Sequence, residues 1–203
     1  QCNLGYFYNN GIGTEKDAEA AIQWLAASAR QRYPRAQLIL GELYEMGDGL
    51  PKDLHKALRL YQLAAKAGYS PAQYKLGLMH YHGVGIKKNE PLAVEWFEKA
   101  AQQEFPEAQF FLGYCYENGY GVTRDAAQAI GFYRLAAEQE YPVAQYVLGY
   151  CYEKGYLTER DLQQAFTLYQ HAAQQGNIEA EYRMGLFYYH GMLVDEDNEK
   201  AAA

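Results

Sequence analysis

Residues 36–65 read AQLILGELYEMGDGLPKDLHKALRLYQLAA, and the placing of alanine, glycine and aromatic residues in this stretch decides the fold. Ala36, Leu40 and Tyr44 recur every four residues, the period of one face of an α-helix. Pro34 suits the first turn of that helix, where a missing N–H leaves no bond unmade. Gly47 suits its end, because glycine takes the left-handed conformation there at little cost. Asp53 is placed to cap a second helix. The apolar face of that helix is Ala57, Leu60, Tyr61 and Ala64, and Gly68 stops it. The stretch predicts a helical hairpin.

The hairpin repeats. Leu4-Gly5, Leu40-Gly41, Leu76-Gly77, Leu112-Gly113, Leu148-Gly149 and Met184-Gly185 are spaced by 36 residues. A second glycine follows each at Gly11, Gly47, Gly83, Gly119, Gly155 and Gly191, and a third at Gly13, Gly49, Gly85 and Gly121. Leu157 and Leu193 replace the third in the last two copies. Ala36, Ala72, Ala108, Ala144 and Ala180 precede the paired glycine. A tyrosine follows it at positions 8, 44, 116, 152 and 188, with His80 in the third copy. The capping slot holds Asp17, Asp53, Asn89, Asp125 and Asp161. The glycine inside each first helix costs about 0.5–1 kcal/mol relative to alanine. Its recurrence points to close approach of the second helix. One hairpin cannot bury both faces, so neighbours must stack.

The pattern A-x-x-x-L-G-x-x-Y-x-x-G-x-G, then a basic residue and Asp, then A-x-x-(W/L/F)-(Y/F)-x-x-A-A, resembles the Sel-1-like repeat. It runs from Ala72 to Asn89 and from Ala144 to Asp161. The likeness covers essentially the whole chain. Tetratricopeptide repeats, its relatives, have a shorter period of about 34 residues. The resemblance implies an all-α, right-handed α/α superhelical solenoid over residues 1–203. It also implies an adaptor or scaffold role, in settings such as signalling, quality control, envelope regulation or host interaction. Gln1 falls inside a first helix and Ala203 inside a sixth second helix, so the expectation is a piece of a longer array. Some secreted relatives carry a disulfide in every repeat; their cysteine pairs are absent here, so activities claimed for them do not carry over.

Composition narrows the chemistry. Lys and Arg number 18 against 25 Asp and Glu, a net charge of −7, which repels phosphate backbones and argues against nucleic acid as a partner. No apolar run approaches the roughly 18 residues of a membrane span. Three cysteines form no disulfide framework and lean toward a reducing compartment. Cys115 and Cys151 occupy equivalent places one repeat apart, where neighbouring helices, about 8–10 Å apart, stand too far for a disulfide. They are expected to be partly buried thiols.

No catalytic or cofactor motif emerges. The Gly-x-Gly pairs complete no phosphate loop and join helix to helix. His80 and His82 point about 200° apart on a helix, and no Cys or His partner has metal-ligand spacing. His80 therefore reads as a packed replacement for tyrosine. Ser28 and Ser70, the only serines, lie in no G-x-S-x-G motif. Glu117 and Glu153 read as solvated helix-end charges rather than a carboxylate pair. No cofactor and no metal are expected.

In a solenoid of this type the first helices line the concave face. The positions two before, one after, and four or five after the motif glycine then face a groove. They are Asn3, Tyr6 and Asn10; Ile39, Glu42 and Met46; Lys75, Leu78 and His82; Phe111, Tyr114 and Asn118; Val147, Tyr150 and Lys154; and Arg183, Leu186 and His190. Partner-binding residues are expected at Ile39, Lys75, Leu78, Phe111, Tyr114, Glu117, Val147, Tyr150, Glu153 and Lys154. Phe111, Tyr114, Val147 and Tyr150 would form an aromatic patch of the kind that marks binding sites. A rim of Glu117, Glu153 and Lys154 suggests a protein or peptide partner carrying Lys or Arg. A monomeric adaptor is the first expectation. A hydrolase with a groove active site and a self-assembling array are the alternatives.

Overall fold

The computed structural model describes residues 1–192, which form eleven α-helices and, among the described residues, no strand. The chain divides into two compact units, Gln1–Gln103 and Glu104–Ala203. The first holds α1 (Cys2–Asn10), α2 (Ala18–Arg30), α3 (Pro34–Met46), α4 (Leu54–Lys66), α5 (Ser70–His82) and α6 (Glu90–Ala101). The second holds α7 (Pro106–Asn118), α8 (Ala126–Glu138), α9 (Pro142–Lys154), α10 (Leu162–Gln174) and α11 (Ile178–Tyr189). Each of α1, α3, α5, α7 and α9 pairs with the even helix after it. Inside each unit, that even helix packs on the next odd one. This is the hairpin solenoid class that the 36-residue period predicts.

Local chemistry sets the boundaries. Gly11, Gly47, Gly83, Gly119 and Gly155 end the first helices in the left-handed conformation. The capping carboxylate or amide of Asp17, Asp53, Asn89, Asp125 and Asp161 accepts a backbone N–H of the first turn it opens. The backbone N–H of that capping residue reaches back to the preceding helix. It donates to the carbonyl of Tyr8, Tyr44, His80, Tyr116 or Tyr152 at 2.8–3.0 Å. The loop between the helices is thus closed from both sides of one residue. Leu157, where earlier repeats have glycine, takes φ 61°, a conformation that costs a side-chain-bearing residue about 1–2 kcal/mol.

The glycine in each first helix is covered by a ring or branched chain from the second. A Cβ on Gly41 would stand 2.6 Å from the Tyr61 ring, and one on Gly113 would stand 2.6 Å from the Tyr133 ring. Gly5 faces Leu25, Gly77 faces Phe97 and Gly149 faces Tyr169 in the same way. Tyr61, Phe97, Tyr133 and Tyr169 are fully buried, as are the alanines flanking the contact, such as Ala57, Ala129 and Ala165.

Two substitutions in the second unit separate close approach from helix propensity. Gly113→Ala is expected to destabilise by about 2 kcal/mol or more through overpacking. Gly131→Ala, on α8 with nothing within 4 Å of an added Cβ, is expected to stabilise by about 0.5–1 kcal/mol. Urea unfolding of both variants checks the opposed signs.

Candidate functional site

The second unit carries most of the expected partner-binding residues, and their setting follows from the ring over the glycine. The Tyr133 hydroxyl donates to the Glu117 carboxylate. The Tyr169 hydroxyl donates to Glu153 Oε2 at 2.8 Å. In the first unit Tyr61 donates to Glu45 Oε2 at 2.6 Å. In every case the tyrosine follows the glutamate by 16 residues. Burial and the adjacent carboxylate push all three phenols well above the usual tyrosine range.

This corrects the reading of Glu117 and Glu153 as solvated charges. Glu153 is only 9% exposed. Its Oε1 pairs with Lys154 and, at 3.4 Å, with Arg183 Nη1. Burial works to raise its pKa, but the hydrogen bonds from Lys154 and Tyr169 and the charge of Arg183 outweigh burial and hold it below the ordinary glutamate value. Glu117 also interacts with the Tyr156 hydroxyl. An average tendency of glutamate toward the surface misplaces both residues because each occupies a slot built for a buried hydroxyl. The acidic rim that suggested a basic partner is engaged internally.

The aromatic residues stand together only in part. On α7, Phe111 and Tyr114 meet edge to face with centroids 6.2 Å apart, and Tyr114 continues to Tyr120 at 5.6 Å. One repeat later, Val147 is half-buried against the core. Tyr150 remains 36% exposed, and its ring lies 5.2 Å from the Arg183 guanidinium and 5.9 Å from Lys154 Nζ. In the first unit the expectation fails at Ile39. That residue is 9% exposed and packed in a core cluster with Leu40 and Leu43, because α3 is covered on more of its circumference than a single stripe predicts. Lys75 is held by Glu42 at 3.5 Å and Glu45 at 4.0 Å, and Leu78 is half-buried.

A polar relay escaped the sequence reading. Gln37, Gln73 and Gln145 each donate through Nε2 to a carbonyl of the preceding second helix, Ala29, Ala65 or Ala137, at 3.3 Å. The Oε1 of Gln1, Gln73, Gln109 and Gln145 accepts from Gln31, Gln103, Gln139 and Gln175, each 30 residues on. The signal was present as a glutamine after every motif alanine from Ala36 to Ala144.

The other candidates have structural settings. His80 is buried, its Nδ1 lacks a hydrogen-bond partner, and burial lowers its pKa. All three cysteines are buried thiols, more so than the partial burial expected of Cys115 and Cys151. Burial, with help from the Glu117 charge, pushes Cys151 up to about 12, out of the range of a neutral-pH nucleophile. Among the described residues no three His, Cys, Asp or Glu gather at a metal-binding distance, and no helix is long and apolar enough to cross a membrane.

The Sel1 repeat profile matches residues 1–33, 34–69, 70–105, 106–141, 142–177 and 178–203. The chain belongs to the Sel1 repeat family. A Sel1 repeat protein from Oxalobacter formigenes is 34% identical and superposes with a TM-score of 0.90, the match covering 99% of this chain and 80% of that one. A protective antigen present in uropathogenic Escherichia coli strains is 31% identical with a TM-score of 0.79, over 98% of this chain but 43% of its own. An immunity protein from Pseudomonas aeruginosa, 24% identical with a TM-score of 0.68 over 100% of this chain and 79% of its own, shares the fold. A search of curated protein sequences returns no match. Sel1 repeat proteins generally act as protein-interaction scaffolds and are generally non-catalytic.

Two predictions concern this Sel1 array. The contribution of Glu153 is present above the ordinary glutamate pKa of 4.5 and is lost as pH falls through its lower folded value. Glu153→Gln should therefore cost about 1–3 kcal/mol near neutrality. The gap between parent and variant should close as pH falls below 4.5, as read by urea titration across pH. Separately, His80→Tyr, which restores the residue of the other repeats and removes the unbonded Nδ1, should stabilise by about 1 kcal/mol, read as a raised Tm.

Proposed function

We propose that this Sel1 array is a protein-binding scaffold whose partner, a peptide or a helical segment, lies along the first helices of the second unit. The observation that carries the reading is the aromatic row of Phe111 and Tyr114 on α7 and Tyr120 in the loop after it, followed one repeat later by the half-exposed Tyr150. Rigid aromatic rings lose little conformational entropy on binding and dominate the energetics of interfaces. The edge-to-face contact of Phe111 with Tyr114 and the tilted contact of Tyr114 with Tyr120 hold these rings in place before any partner arrives, which lowers the cost of association. Lys154, against the Tyr150 ring, gives this face a charge. The role is that of a non-enzymatic adaptor, and the reading involves no cofactor.

Affinity capture from lysate with the parent chain and with Phe111→Ala/Tyr114→Ala/Tyr150→Ala tests this. Circular dichroism first establishes that the variant is folded. A protein retained by the parent is expected to fall by about tenfold or more in the variant. Equal retention by both chains would remove this face as the binding site.

A further inference from the structure

Between the end of α9 and α11 lies a recess of about 460 Å³. Its charged lining is unbalanced. Among the described lining residues, Lys154, Arg160 and Arg183 bring three permanent positive charges against the single carboxylate of Glu153. The described lining therefore carries a positive excess, in a chain whose net charge is −7. The cations are also anchored. Arg183 rests on Glu153 and against the Tyr150 ring. Arg160 donates its Nε to the Glu153 backbone carbonyl at 3.0 Å and lines the recess. Guanidinium groups held in this way recognise carboxylates with two parallel hydrogen bonds and little further ordering cost. Leu186, Phe187 and Met192 supply an apolar floor beside them.

We infer that this recess takes a carboxylate of the partner, an Asp or Glu side chain next to an apolar residue, and so selects an acidic peptide segment. The inference rests on the scaffold reading and specifies its partner's charge. Charge complementarity chooses the occupant: the carboxylates that would have attracted a basic partner are bound by Tyr133, Tyr169, Lys154 and Arg183. Lys154 and Arg183, which share the one Glu153 carboxylate, also lie against the Tyr150 ring, at the rim of the proposed binding face. The apolar floor favours a peptide over a small free anion, which would leave Leu186 and Met192 uncovered.

The test uses the whole chain and three pools of short fluorescein-labelled peptides, read by fluorescence anisotropy. Each pool has mixed sequence around a fixed centre: Asp-Leu-Glu, Lys-Leu-Arg or Ser-Leu-Ser. The acidic pool is expected to bind about tenfold tighter than the other two, with the preference weakening as salt rises. The preference should vanish in Arg160→Gln, which leaves the Glu153–Arg183 pair in place, and in Arg183→Gln, both checked for helicity. If the neutral or basic pool binds as tightly and still needs Tyr114 and Tyr150, the carboxylate inference falls and the scaffold reading stands. If no pool binds either the parent or Asp195→Asn/Glu196→Gln/Asp197→Asn, both fall. Displacement of the acidic pool by millimolar inorganic phosphate would give the recess to a free anion and overturn the inference. Binding that appears only after Asp195→Asn/Glu196→Gln/Asp197→Asn would make the chain's own acidic run the occupant, which also overturns it.

Discussion

The structure depends on the contact between a glycine in each first helix and the ring or branched chain laid over it from the second. Without a side chain at Gly41, Gly113 or Gly149, an aromatic ring reaches the helix backbone itself. That depth of approach brings the Tyr61, Tyr133 and Tyr169 hydroxyls to a glutamate one turn further along the first helix. The cost of glycine in a helix, about 0.5–1 kcal/mol, is offset by burial of a whole aromatic side chain and by a charge-assisted hydrogen bond. The two features travel together. Where the second helix offers Phe97 or Leu25, which have no hydroxyl, the corresponding first-helix positions are Tyr81 and Asn9 rather than glutamate.

That pairing also decides which charges are available to a partner. Glu117 and Glu153 lie where a reading of helix faces places the rim of a groove, yet both carboxylates serve the hairpin interior. The described lining of the recess carries a positive excess, so the local charge there follows which residues the core engages rather than the composition of the chain.

The fold was legible in the sequence because its signals repeat. Glycines at the helix ends, aspartates at the caps and alanines at the close contacts recur in register, and each has a local physical reason to be there. The site was legible only in outline. Phe111 and Tyr114 pack edge to face and Tyr150 is part-exposed, but Val147 packs against the core and Ile39 is buried, because a stripe of apolar residues does not tell how far around a helix its neighbours reach. Glu117 and Glu153 were misread because residue type was taken one position at a time. The sixteen-residue coupling of tyrosine to glutamate, present in three repeats and absent where the hydroxyl is absent, is the sequence signal that would have placed them.

The glutamine relay gives the array a direction. The Gln73 and Gln145 amides each donate a hydrogen bond back along the chain, to the hairpin before, while the side-chain oxygen accepts one from the exit of its own hairpin. The α2–α3, α4–α5 and α8–α9 junctions therefore have the same two ends, a carbonyl offered and an amide presented. A segment of one period can be lost from, or copied into, such a unit with the new neighbours meeting through the old bonds. Length is then a property that duplication can adjust freely, whereas the face presented to a partner has to be rebuilt residue by residue.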